Sequence, residues 1–429
     1  MKKRFAICST IVLLLLLSAC GAPQMLDFSY APEGEELSSL MVETSQTHRA
    51  ELEHVPSAAD FADAISDDPA SAGLLSESEV ESLLRGHAAM ETVSKKQAQS
   101  DVSLLFRTLQ SAYGAYEYFG QEKFDAAEDA VTQWLSSQDD EIKVSALGEK
   151  LQESLAFMLA HDAHAVIYEP AAEETEAQVR YEYFFADGFY FSKDVNGSYY
   201  MVNDGERWTL SSFSDEHVSV QPTLLQDGRI VYQPTLFALR KDAVQSSVTL
   251  KNSSGKAKIY RLDWTESQPL DVDLGTLDYR LIQEDGLTYV SLRSFVSGTY
   301  DNMLARYARE GAKARGSKAV IYDLRGNVGG SDSWPRKWIQ SFLGTQNSIE
   351  TSMLYAQKNS ALFAAENSES LLPEDEGTCF AREVHGTWYE NDIPIIVLVD
   401  DHCGSSGEGA VQLLKTLDNV LIVGSNTAG

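Results

Sequence analysis

"IPIIVLVDDHCGSSGEGAVQLLK", residues 393–415, runs from an unbroken apolar segment through a Gly- and Ser-rich turn into a helix-like pattern. The continuous Ile, Val and Leu run reads as a strand buried on both faces. Ala410, Leu413, Leu414 and Leu417 mark the apolar stripe of a helix. The same alternation surrounds it: "LTYVSLRSF", helix "DNMLARYAREGAKARG", strand "KAVIYDLRG", helix "SWPRKWIQSFLG", then, after residue 415, strand "VLIVG". Buried strands separated by amphipathic helices pair in parallel, so residues 278–429 are predicted to form an α/β layer. Ligands in such layers bind at the carboxyl ends of the strands. Three loops occupy that position: "DLRGNVGG" (323–330), "DDHCGSSGE" (400–408) and "GSNTAG" (424–429).

The paired glycines of "DLRGNVGG" let a backbone amide approach a bound group closely, as an oxyanion requires. The segment lacks the Lys of a phosphate-binding P-loop and the spacing of a dinucleotide loop, so a plain turn is the competing reading. Ser405 also reads two ways. Ser405 to Glu408 fits a capping box at the head of a helix. The same position sets a hydroxyl against the positive end of the helix dipole, which favours developing negative charge. An α/β-hydrolase elbow is disfavoured, because Glu408 stands where its second Gly would be.

Working toward the N-terminus, 171–277 is rich in aromatic and β-branched runs broken by turns such as "VNGSYYMVNDGERW" and "NSSGK", which predicts an antiparallel β-rich middle domain. Residues 98–170 place Leu104, Leu105, Leu109, Val131, Trp134, Leu155 and Met158 at helical spacing and read as a helical module. That module ends at "HDAHAVIYEP" (161–170). Residues 21–97, rich in Glu, Ser, Ala and Asp, read as an acidic low-complexity spacer with short helical pieces at most.

The chain has 429 residues, 34 Lys and Arg against 64 Asp and Glu, and a net charge of -30. A field of that sign repels nucleic acid and anionic surfaces, so neither is expected as a partner. Residues 1–20, "MKKRFAICSTIVLLLLLSAC", have the basic start and apolar core of an export signal. "LSAC" resembles a bacterial lipobox, which would make Cys20 the lipidated first residue of an envelope protein anchored outside the cytoplasm; an ordinary signal peptide or a single uncleaved helix is the alternative. Cys379 and Cys403 could pair there or stay free. Their spacing fits no metal site, and neither metal nor other cofactor is expected.

Taken in order, "DLRGNVGG", "CGSSGE" and "VLIVGSNTAG" resemble the core motifs of the C-terminal-processing and tricorn-core serine peptidases. The resemblance covers about residues 278–429 and, weakly, the helical module. It implies a crotonase-like (ClpP/crotonase) core, a serine endopeptidase acting on exported polypeptides, Ser405 as nucleophile, and the Gly330 and Ser406 amides as oxyanion donors. Glu408 and Thr427 match positions that are mainly structural, while Ser425 replaces the usual Glu. The family has a Ser-Lys dyad branch and a branch using His and Glu. "HDAHAVIYEP" favours the second, with His164 as base, although Ala163 replaces a helping Ser found in some members and His402 is a rival. The deciding Lys or Glu would follow Gly429, so the core is expected to be incomplete. A PDZ module commonly precedes this core, and the middle domain is at most a divergent one. The alternative is a catalytically silent surface lipoprotein of the same fold that binds peptide or another ligand.

Overall fold

The computed structural model describes residues 37–85, 90–162, 164–167, 181–186, 188–203, 205–225, 229–239, 246–266, 279–298 and 300–429. Cys20 and the signal-like segment lie outside them. The chain divides into two units: one takes in Gln178–Pro269 and the first residues through Leu40, the other Met41–Ala177 and Leu270–Gly429.

The second unit begins in the stretch read as a spacer, and here the structure corrects the sequence. The helix Leu37–Glu53 buries Met41 and His48. From it, Ser45 Oγ accepts the Asn419 amide at 2.9 Å, and Glu51 pairs with Lys415. Farther on, the Asp68 amide donates to the Gly377 carbonyl at 2.7 Å and the Cys379 amide to Asp67 Oδ1 at 2.8 Å. Helix Glu77–Arg85 is held by an Arg107–Glu79 pair at 2.6 Å. The acidic residues that suggested a solvated linker are partly ligands for core amides and cations.

Two short strands, β1 (Thr92–Ser94) and β2 (Glu141–Lys143), pair antiparallel between the helices Lys95–Ala112, Gln121–Ser137 and Val144–Ser154. These helices enclose Val102, Phe106, Phe124, Val131, Leu135, Leu155 and Met158. The buried stripe of the first therefore centres on Val102 and Phe106, with Leu104 only half buried.

The first unit holds two antiparallel sheets. β3 (Tyr181–Ala186), β7 (Val218–Leu224), β8 (Ile230–Leu239) and β11 (Trp264–Glu266) run in the order β11-β3-β8-β7. β4 (Ser192–Lys193), β5 (Tyr199–Asn203), β6 (Glu206–Phe213), β9 (Ser247–Lys251) and β10 (Ala257–Arg261) run as β10-β9-β6-β5-β4. Asp194 Oδ1 accepts the Asn196 and Ser198 amides at 2.9 and 3.0 Å to close one predicted turn, and "NSSGK" turns between β9 and β10. Trp208, Phe191, Leu250 and Leu262 fill the interior. Among the described residues from Tyr181 to Glu266 there are strands and turns and no helix.

The α/β layer follows. β12 (Arg280–Glu284) forms an antiparallel hairpin with β13 (Leu287–Ser291) that the sequence reading did not resolve. β13, β14 (Ala319–Asp323), β17 (Ile395–Val399) and β18 (Val420–Gly424) are parallel neighbours. β15 (Met353–Lys358) and β16 (Cys379–Val384) form a separate antiparallel hairpin. Val320, Tyr322, Ile395 and Val397 pack with Trp338, Ile339, Leu413 and Leu414 of the helices Ser333–Leu343 and Ser406–Leu414. Helix Asp301–Ala314 crosses Ser333–Leu343 closely: a side chain at Gly311 would come within 2.3 Å of the Trp338 carbonyl. The alternating burial of β17 shows one face sealed and the other, with Ile396 and Leu398, half buried.

Candidate active site

The loop after β14 is folded by its own first residue. Asp323 is fully buried and receives Arg325 Nε and Nη2, both at 2.9 Å, and Tyr289 Oη at 2.7 Å. Arg293 adds both ends of its guanidinium at 3.3 Å. Burial alone would raise the carboxyl pKa. The hydrogen bonds from Arg325, Arg293 and Tyr289 outweigh it and hold the group well below the usual carboxylate range. A carboxyl depressed in the folded state adds stability above its unfolded pKa of about 4, and that stability fades as pH falls through the lower folded value. Asp323→Asn is thus expected to cost about 2–3 kcal/mol at pH 7, leaving two guanidinium groups short of a charge. In urea unfolding the gap to wild type should narrow toward pH 3; a gap independent of pH would contradict this role.

Beyond Asp323 the loop is stitched to the "DDHCGSSGE" turn. The Gly326 amide donates to Asp400 Oδ1 at 2.8 Å, and the Gly404 amide to the Asn327 carbonyl at 2.9 Å. Buried Asn327 donates its side-chain amide to the Leu292 carbonyl at 2.7 Å and accepts the Gly329 amide at 2.9 Å. Gly330 bridges Phe295 through its neighbours: Phe295 N–H donates to Gly329 O at 2.7 Å, and Ser331 N–H donates to Phe295 O at 3.0 Å. This leaves the Gly330 N–H outside the bridge. The glycine is required by space, since a Cβ at 329 would sit 2.7 Å from the Ser405 Cβ. Asp323, Arg325 and Asn327 were read as part of the motif and given no role of their own, roles being assigned only to the glycines. A buried polar network leaves no periodic signal.

Ser405 stands at the head of Ser406–Leu414, exposed, with φ 51° and ψ −120°. This is a sparsely populated region for a residue with a side chain and costs about 1–3 kcal/mol. The capping box is not formed. Ser405 Oγ caps no amide, and Glu408 instead accepts the Gly429 amide at 2.8 Å and the Thr427 hydroxyl. The Ser405 amide donates to the Gly429 carbonyl at 2.8 Å. "GSNTAG" therefore braces the turn, and the neighbouring Ser406 hydroxyl donates to the Gly330 carbonyl at 2.9 Å. No carbonyl among the described residues takes the Gly330 or Ser406 amides.

His164 and Ser405 line one cavity of about 430 Å³, together with Asp332, Ser406, Glu408 and Thr427. His164 is exposed, and its amide donates to Asp162 Oδ1 at 3.0 Å. The other Asp162 oxygen accepts Tyr113 Oη at 2.7 Å, which fixes the turn that presents the imidazole. His402 is not among the residues lining this cavity, and its Nδ1 lies 3.0 Å from Asp401 Oδ1. Cys379 and Cys403 are both free. Burial pushes the Cys403 thiol up to about 12, so it is not a thiolate nucleophile at neutral pH.

Residues 286–429 match peptidase family S41. No curated protein matches the chain. Among solved structures it is similar to mature CPAF, at 14% identity over 78% of this chain and 84% of that one, with a TM-score of 0.39. It is also similar to the photosystem II D1 C-terminal processing protease, at 15% identity over 78% and 82%, with a TM-score of 0.31. A lipoprotein from Streptococcus agalactiae is similar at 13% identity over 80% of each chain, with a TM-score of 0.29.

Proposed function

From a core whose residues 286–429 match peptidase family S41, we infer that this protein is a serine endopeptidase of the C-terminal-processing type, with a crotonase-like core. Ser405 attacks the peptide carbonyl while His164 takes its proton. The negative oxygen of the tetrahedral intermediate accepts hydrogen bonds from the Gly330 and Ser406 amides, which no carbonyl among the described residues occupies. His164 then gives its proton to the leaving amine, and water releases the acyl group by the same path in reverse. The observation that carries this reading is the cavity shared by His164 and the strained Ser405. Unfolded or terminal polypeptide segments are the proposed substrates. Export and a lipid anchor at Cys20 are proposed on the N-terminal sequence alone. Among the described residues no helix is long and apolar enough to cross a membrane.

The test is cleavage of an unfolded polypeptide followed by mass spectrometry. His164→Ala is expected to lower kcat by about 100- to 10,000-fold with little change in KM, as removal of a general base does. Loss in His402→Ala with His164→Ala unaffected would move the base to the rival histidine. Binding of the polypeptide without cleavage by the wild-type chain would favour the silent, ligand-binding alternative.

A further inference from the structure

The turn from β17 to the Ser405 helix holds three side-chain atoms that are buried yet have no hydrogen-bond partner among the described residues: Asp400 Oδ2, Asp401 Oδ1 and His402 Nδ1. The ligating atoms of these three residues lie within 4.8 Å of one another. Asp400 is the anchor, only 6% exposed. Its Oδ1 accepts the Gly326 amide at 2.8 Å and the His402 amide at 3.2 Å, leaving Oδ2 turned toward the imidazole, 3.9 Å from Nδ1. His402 Nδ1 lies 3.0 Å from Asp401 Oδ1, but the pair does not meet hydrogen-bond geometry. A protonated imidazole could satisfy one carboxylate at most, and a buried carboxylate oxygen without a donor is unfavourable.

We propose that Asp400, Asp401 and His402 bind a divalent first-row transition-metal ion. One imidazole and two carboxylates form a mixed N/O set suited to such an ion and unsuited to a soft, thiolate-seeking one. Two ligands each about 2.1 Å from one ion stand about 3.4 Å apart in a tetrahedron and cannot exceed about 4.2 Å. The observed 3.0 and 3.9 Å fall on either side of the tetrahedral spacing. The Asp401 and His402 side chains are 46% and 26% exposed, so water can reach the ion and complete its shell. The turn itself makes three consecutive residues converge: the Cys403 amide donates to the Asp400 carbonyl at 3.0 Å and curls the segment on itself. The sequence reading expected no metal from the spacing of Cys379 and Cys403 alone; three consecutive ligands carry no spacing signature. Because Asp400 also holds Gly326, an ion here fixes both the nucleophile turn and the glycine loop from behind. Ion binding itself requires no peptidase activity.

The probe is Zn²⁺, titrated by calorimetry into the chelator-treated full chain, with Co²⁺ absorption as a second readout. The wild-type chain is expected to bind one Zn²⁺ with a rise in Tm, and to give a Co²⁺ spectrum without a thiolate charge-transfer band. His402→Ala and the near-isosteric Asp401→Asn should each weaken binding at least ten-fold. His217→Ala removes an exposed Asp–His pair in the other unit, with Nδ1 3.0 Å from Asp215 Oδ1, and should change nothing. Circular dichroism confirms that each variant is folded, and Asp401→Asn keeps the test decisive should His402→Ala not fold. Absence of binding by wild type, equal binding by both ligand variants, or a thiolate band would overturn the assignment.

Discussion

Ser405→Gly is expected to yield a protein that is more stable than wild type and catalytically dead. Ser405 holds φ 51° and ψ −120°, a conformation that glycine adopts without the steric cost borne by a Cβ. Relief of about 1–3 kcal/mol of strain, less about 0.5–1 kcal/mol for the extra freedom glycine gives the unfolded chain, leaves a net gain of up to about 2 kcal/mol. The hydroxyl contributes nothing to offset it, since it caps no amide of its helix. Activity should fall by roughly ten-thousand- to million-fold in kcat, as for removal of any nucleophile that works with a base. Ser405→Ala separates the two effects: it should lose the same activity while keeping the strain, and so gain no stability. Thermal unfolding and a peptide-cleavage assay on the two variants measure this. A destabilised Ser405→Gly would show that the serine is held there for packing.

Gly330→Ala is expected to lower stability by about 4 kcal/mol or to prevent folding of the core. A Cβ at 330 would lie 2.1 Å from the Phe295 carbonyl carbon and 2.2 Å from the Val296 amide nitrogen, with φ at +138°. Both contacts are with backbone, which cannot rotate away as a side chain can. Overpacking of about 1–3 kcal/mol adds to backbone strain of about 1–3 kcal/mol. Gly316 is the control, with nothing within 4 Å of its would-be Cβ and no left-handed φ, so Gly316→Ala should be neutral or slightly stabilising. Denaturant unfolding of the two variants decides it. A near-neutral Gly330→Ala would mean that the loop can move away from Phe295, and a mobile loop could not hold an amide ready for an oxyanion.

The parallel strands were legible because burial writes itself into sequence as unbroken apolar runs, as in Ile395–Val399 and Val420–Gly424. Helix Leu37–Glu53 was not legible as part of the core. Its ties run through Ser45 and Glu51 rather than an apolar stripe, and a polar face bound to protein looks the same as one bound to water. The hairpin β15–β16 escaped because its large apolar side chains Tyr355 and Phe380 are exposed and Leu354 is only half buried, so burial writes no clear period-two stripe there. In the candidate site, Ser405 and Gly330 were singled out by motif. The capping box failed because Glu408 is taken by Gly429 and Thr427, a contact from a distant loop that local spacing cannot reveal. The convergence of His164 with Ser405 required the fold: 241 positions separate them, and only the packed unit puts both on one cavity.

Covalent labelling of the full-length protein by a fluorophosphonate, followed by peptide mapping, tests the central claim most directly. The account predicts one phosphonylated peptide carrying the adduct on Ser405, lost in Ser405→Ala and slowed in His164→Ala. Equal labelling of wild type and Ser405→Ala, or an adduct mapped to another residue, would contradict it.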